Sequence, residues 1–128
     1  MVVYKFDPDS PVIVLFVKLT GPKGTRRVKM ALDTGATYVL IPHHIAESLG
    51  YDPASSRERV PLTTASGVEI VPLITLESVS ALGKKIDNVR VVCHDLPPTS
   101  HIDGLLGLSY FREQRIKLDF VEGILEIE

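Results

Sequence analysis

The chain has 128 residues, 45% of them hydrophobic and 23% charged, with a formal net charge of −2 at pH 7. That is the size of one domain with a real apolar core, so a single domain over residues 1–128 is expected. A disordered chain is excluded, and so is a strongly charged binder of nucleic acid or membrane surface. The lone cysteine, Cys93, rules out an internal disulfide, and its neighbours Val91 and Val92 mark a buried thiol.

Along the chain, short β-rich runs alternate with turns. No basic leader precedes an apolar stretch at the N-terminus, and residues 12–17 (VIVLFV) are far too short to span a bilayer. A reducing, cytoplasmic setting without a membrane partner is therefore expected. Residues 11–20 (PVIVLFVKLT) read as a strand, 21–24 (GPKG) as a turn, and 26–33 (RRVKMALD) as a second strand with Val28, Met30 and Leu32 on one face. Arg26, Arg27 and Lys29 then belong to a solvated hairpin end. Residues 42–50 (PHHIAESLG) read as a helix, with Pro42 at its first position and Gly50 as its stop. After a loop at 51–58, residues 59–73 form two extended arms around an Ala65-Ser66-Gly67 tip. Residues 74–82 and 86–96 make a hairpin about Gly83-Lys84-Lys85, and Pro97-Pro98 breaks the chain before 102–113, whose end supplies a short helix. A last hairpin pairs 115–120 with 124–128. The sum predicts an all-β fold, a small closed barrel with one or two short helices.

Residues 30–42 (MALDTGATYVLIP) set one acid, Asp33, in an apolar run. A charge there must be hydrogen-bonded, paired or used. The Asp-Thr-Gly triplet is weak by itself; its apolar lead-in, the small Ala36, the run Val39-Leu40-Ile41 and a downstream Leu105-Leu106-Gly107 strengthen it. On ALDTGATYVLIP, TTASG and DGLLGLSYF the chain resembles the retropepsin-like aspartic peptidases, single-domain relatives of pepsin, over roughly residues 12–127. The resemblance implies a barrel of the acid-protease type, an endopeptidase acting on polypeptides without cofactor or metal, and a DGLLG element threaded between the strands of the catalytic loop. It implies catalytic roles for Asp33, Thr34 and Gly35. In aspartic proteases generally, two carboxylates share one proton and hold a water; one deprotonates the water and the other protonates the substrate carbonyl. The resemblance implies that Thr34 fixes the pair across the two loops and that Gly35 brings a backbone N–H to the carboxylate. The mechanism needs two such loops. This chain has one, since Asp103 lacks a following Thr-Gly, so the resemblance implies a homodimer with one Asp33 from each subunit and an inert monomer.

The resemblance further implies substrate contacts from Ala36, Thr37, Ala65, Ser66, Gly67, Asp103 and Leu105, with residues 64–68 as a flap. Plain core packing is the competing reading for Leu105, and an ordinary polar hairpin tip for 64–68. Ala36 replaces a serine that would hydrogen-bond the carboxylate, which implies a working pH less acidic than pepsin's. Thr37 and Tyr38 stand where viral members carry acids, and Leu108 where they carry Arg, so substrate anchoring does not transfer. The KLDF and ILEIE segments are expected in the dimer sheet. His43, His44, His94 and His101 show no zinc-ligand spacing and read as exposed polar residues. With four Phe, four Tyr and no Trp, no stacking row for nucleic acid is present. Two other readings stay open: an inactive retropepsin-like peptide-binding or dimerisation module, and an unrelated β-barrel in which Asp33 caps a turn.

Overall fold

The computed structural model describes residues 1–128. Strands β1 (Val2–Lys5), β2 (Val14–Gly21), β3 (Gly24–Leu32) and β4 (Val39–Ile41) lead to helix α1 (His43–Ser48) and a 3-10 turn (Pro53–Ser55). Then come β5 (Arg59–Thr64), β6 (Gly67–Ala81), β7 (Lys84–Cys93), β8 (Gly104–Leu106), helix α2 (Leu108–Phe111), β9 (Ile116–Asp119) and β10 (Ile124–Ile127).

Side-chain alternation makes the barrel. In β2, Leu15, Val17 and Leu19 point inward while Phe16 and Lys18 face solvent, and in β3 Val28 and Met30 are buried. The strands follow the order β2-β3-β8-β4-β7-β6, and β6 returns to pair with β2 through Val17↔Ala81 to Thr20↔Ser78. Six strands therefore close on themselves around an apolar core of 22 buried residues. The all-β fold with a closed barrel and two short helices matches the sequence expectation. Each fully buried Leu, Ile or Val contributes on the order of 1.5–3 kcal/mol by leaving water.

The feature that positions the site is the insertion of β8. It runs parallel to β3 (Met30↔Gly104, Ala31↔Leu105, Leu32↔Leu106) and antiparallel to β4 at Leu40↔Leu105. The chain after Pro97-Pro98 is thus threaded between the two strands that flank residues 33–38. Two glycines permit the approach. A Cβ on Gly104 would strike the Leu40 carbonyl oxygen and lie 2.8 Å from Met30 Cε; one on Gly107 would strike the Tyr38 carbonyl and lie 2.7 Å from that of Ala36.

The structure adds a strand that the sequence reading did not include and corrects three expectations. Val2–Lys5 is a strand, pairing antiparallel with β10 in a separate sheet of order β1-β10-β9 whose inner face puts Leu125 and Ile127 in the core. The arms predicted at 67–73 and 74–82 are one 15-residue strand, β6, which exchanges partner from β5 to β7 between Pro72 and Leu73. The following turn is Leu82-Gly83, both at positive φ (52° and 76°), because Ala81 pairs with Lys84 and leaves two residues for the loop. Pro42 is the cap of α1 and not its first helical residue: its ψ of 157° is extended, and the acceptor for the His43 N–H comes from Asp95 at 3.0 Å.

Candidate active site

Asp33 follows the last residue of β3, at the mouth of the barrel. Its main-chain N–H donates to the Leu106 carbonyl at 3.0 Å, which ties the loop to the threaded strand. Its Oδ1 accepts the Gly35 N–H at 3.0 Å, and its carbonyl accepts the Ala36 N–H at 3.2 Å. The Ala36 carbonyl in turn accepts the Leu108 N–H at 2.8 Å, fastening the far side of the loop to α2. The carboxylate is half-buried, less enclosed than its apolar neighbours in sequence imply, because the chain leaves the barrel at Leu32; Thr34 and Gly35 are exposed beside it. Oδ2 has no hydrogen-bond partner and Asp33 no ion pair within the chain.

A cleft of about 380 Å³ opens from this carboxylate, walled by Ala36, Tyr38, Leu62, Val92 and Leu105 among others, and Asp33 is its one acid. Asp33, Gly35, Ala36, Thr37 and Leu105 are thus brought together in one place, with Thr34 alongside. A neighbouring cavity of about 530 Å³ shares Leu40, Leu62, Thr63 and Leu105 with the first, so the two form one groove, and Ala65 and Ser66 line its second half. These belong to the tip of the β5–β6 hairpin, closed by the pair Thr64↔Gly67 and a 3.1 Å hydrogen bond from the Thr64 hydroxyl to the Gly67 carbonyl.

Asp103 is not in the groove. One residue before Gly104, it falls opposite Lys29 in the β3–β8 register; its Oδ2 accepts the Lys29 N–H at 2.8 Å and its own N–H donates to the Lys29 carbonyl at 2.6 Å. It lines a separate cavity with His43, His44, Glu47 and Asp95. No group of three or more His, Cys, Asp or Glu side chains is placed to hold a metal ion.

Two residues that sequence reading passed over anchor α2, one to the end of the Asp33 loop and one to the β6–β7 turn. Ser109 Oγ accepts the Val39 N–H at 2.8 Å and donates to the Arg90 carbonyl at 2.7 Å, joining α2 to the start of β4 and to β7. The buried Tyr110 hydroxyl lies 2.7 Å from the Lys84 carbonyl, to which it donates, and accepts the Ala81 N–H at 3.2 Å; burial raises its pKa. Nothing in LSYF marks either role, since a hydroxyl's partner across a barrel is a tertiary fact. Burial, with the Asp95 charge added, pushes the Cys93 thiol up to about 12, which removes it as a nucleophile. Asp95 is held below the usual carboxylate range, first by the His43 N–H and then by the His43 side chain and the charges of His43 and His44.

A closed barrel whose Asp-Thr-Gly loop is locked by a threaded Gly-Leu-Leu-Gly segment is the architecture of a retropepsin-like aspartic protease. The family profile described as aspartyl protease matches residues 17–110, and the chain belongs to that family. Over its whole length it is similar to a retropepsin-like aspartic protease from Rickettsia conorii, at 25% identity and a TM-score of 0.69, covering 99% of this chain and 97% of that one. The simian foamy virus (mac) protease shares the fold at 18% identity and a TM-score of 0.52, over 78% of this chain and 92% of that one. No curated protein matches the sequence. No helix is long and apolar enough to cross a membrane.

Proposed function

We propose that the protein is an aspartic endopeptidase that works as a homodimer, each subunit supplying one Asp33 to a shared pair of carboxylates. One observation carries the reading: Asp33 is held by Gly35 on one oxygen, leaves the other free, and is the one acid on its cleft. A two-carboxylate mechanism must then draw its second member from another copy, with a two-fold axis between the loops.

In the assembled site a water sits between the carboxylates. The ionised one takes a proton from it as oxygen attacks the scissile carbonyl carbon, and the protonated one donates to the carbonyl oxygen. Collapse of the tetrahedral intermediate breaks the C–N bond, and the leaving nitrogen takes a proton from the pair. Thr34 hydrogen-bonds across to the partner loop, and Gly35 lets the turn bring its N–H to Oδ1. The peptide lies along the groove past Ala36, Thr37 and Leu105, and the tip at Ala65, Ser66 and Gly67 closes over it as a flap that excludes water. Asp103, occupied by Lys29, fastens β8 and is given no substrate role. Residues 1–128 serve as one peptidase domain, with the free edges of β1 and β9 available to the partner subunit. A single buried, unpaired thiol supports work in a reducing compartment such as the cytoplasm.

The test combines sedimentation with a peptidase assay. The reading predicts a dimer that cleaves peptides, is blocked by a statine-type inhibitor and loses turnover in Asp33→Asn with its fold intact. A dimer without turnover reduces the protein to a binding module; cleavage by the Asn variant refutes the assignment of Asp33.

A further inference from the structure

The β5–β6 hairpin is attached to the barrel at two levels. At its root the Leu73 N–H donates to the Glu58 carbonyl at 3.0 Å, the Ser56 hydroxyl donates to the Leu73 carbonyl at 2.7 Å, and Glu58 pairs with Arg90 of β7. Val60 and Val71, opposite each other in the ladder, pack there into a second apolar cluster with Leu40, Leu73 and Val92. Farther out Leu62 still packs against this cluster, and a charged contact is added to the apolar one. Glu69 stands opposite Leu62, hence on the same face, and its carboxylate lies 3.4 Å from Nε2 of His94, just past the end of β7. This is the ion pair that joins the distal half of the hairpin to the barrel. Both side chains line the half of the groove that continues from the Asp33 cleft. Apolar packing is insensitive to charge; the Glu69–His94 contact is not.

We propose that Glu69 and His94 are a positioning pair that holds the outer half of the hairpin down over the groove and so sets how tightly a peptide is retained. The kinetic part rests on the peptidase reading; the conformational part does not. The contact is charge-assisted when the imidazole carries a second proton and weaker when it does not; histidine as a residue type changes charge between about pH 5 and 8, which sets the pH range of the test. The charged and titratable groups facing the pair are Asp95, the next residue, with His43 of α1 at 3.2 Å from it; Arg59 of β5; and Cys93, whose thiol stays protonated. Asp95 already engages His43, which leaves Glu69 as the acid that answers His94.

The test uses spin labels on Ser66→Cys and Glu113→Cys, diluted with unlabelled chain so that one subunit is read; the buried Cys93 is not labelled. The proposal predicts a narrow distance distribution at about pH 5.5 that broadens to longer distances at about pH 8, and a broad one at both in Glu69→Gln and His94→Gln. With a peptide substrate each variant raises KM about two- to fivefold, the range for partly exposed ion pairs, with kcat within twofold, and the double variant is no worse than either single. Both sites are at least part-exposed, and Glu69→Gln, on an exposed strand position, suffices if His94→Gln fails to fold. Distances that respond to neither pH nor substitution overturn the proposal, as do additive effects of the two variants. Distances that respond in a protein without turnover uphold the pair and overturn the peptidase reading instead.

Discussion

Replacing Ser109 by Ala removes one oxygen with two partners, the N–H of the fully buried Val39 at 2.8 Å and the carbonyl of Arg90 at 2.7 Å. Val39 opens β4 and so ends the loop that Asp33 begins. Losing a hydrogen bond costs about 0.5–1.5 kcal/mol net, and the Val39 N–H, left in the interior without a partner, adds about 1–3 kcal/mol. The Arg90 carbonyl belongs to an exposed residue and adds little once water reaches it. The sum, about 1.5–4.5 kcal/mol, is a large part of the about 5–15 kcal/mol that a domain of this kind has. It corresponds to a fall in melting temperature of about 6–18 °C. Urea denaturation at fixed protein concentration measures it, because self-association links stability to concentration. Ser109→Thr keeps the hydroxyl and stays within about 1 kcal/mol of the parent. An Ala variant within about 0.5 kcal/mol, or Thr and Ala variants that fall equally, would refute the bridging role.

Ala36→Ser sets a hydroxyl in the Asp33 cleft that donates to an ionised carboxylate, and it moves the pH–rate profile toward acid by about half to one unit; an unmoved profile means that side chain does not reach the pair. For Asp95 the sign follows from its depressed folded pKa: the stabilisation is present above the ordinary carboxylate range and lost as pH falls through the folded value. Asp95→Asn is therefore less stable than the parent at about pH 6, and the gap narrows as pH falls below the ordinary carboxylate range; a gap that stays constant through that fall contradicts the role of the His43 contact. Cys93, fully buried and with its thiol raised to about 12, ignores thiol reagents in the native protein and reacts once urea unfolds it. Rapid labelling of the native protein contradicts its place in the core.

Much of the barrel was legible because its signals are local. Alternation in β2 and β3, the Gly/Pro turn between them and the apolar periods of β6 and β7 each fit within ten or so residues. What was missed depends on distant partners. Val2–Lys5 is a strand because β10, at the other end of the chain, pairs with it. The three residues of β4 are too few to show a period and are set by Val91–Cys93 on one side and Leu105 on the other. Pro42 imitates a first helical residue, but the acceptor that ends the helix arrives from Asp95. At the site, the triplet and the Gly-Leu-Leu-Gly turn could be read from residue type, since only glycine permits the threaded approach at 104 and 107. Asp103 misled because an acid beside a motif looks available until the register shows it spent on Lys29. Ser109, Glu69 and His94 were silent for the same reason: each acts through a partner far away in sequence.

The separation of the two Asp33 side chains in the assembled protein bears most directly on the claim that half a proteolytic centre resides in each copy. A crystal structure of the assembly is predicted to show the carboxylates about 3 Å apart across a two-fold axis, with a water in reach of both. A pair of subunits whose aspartates face away from each other, or a solitary subunit that still cleaves peptides, contradicts it.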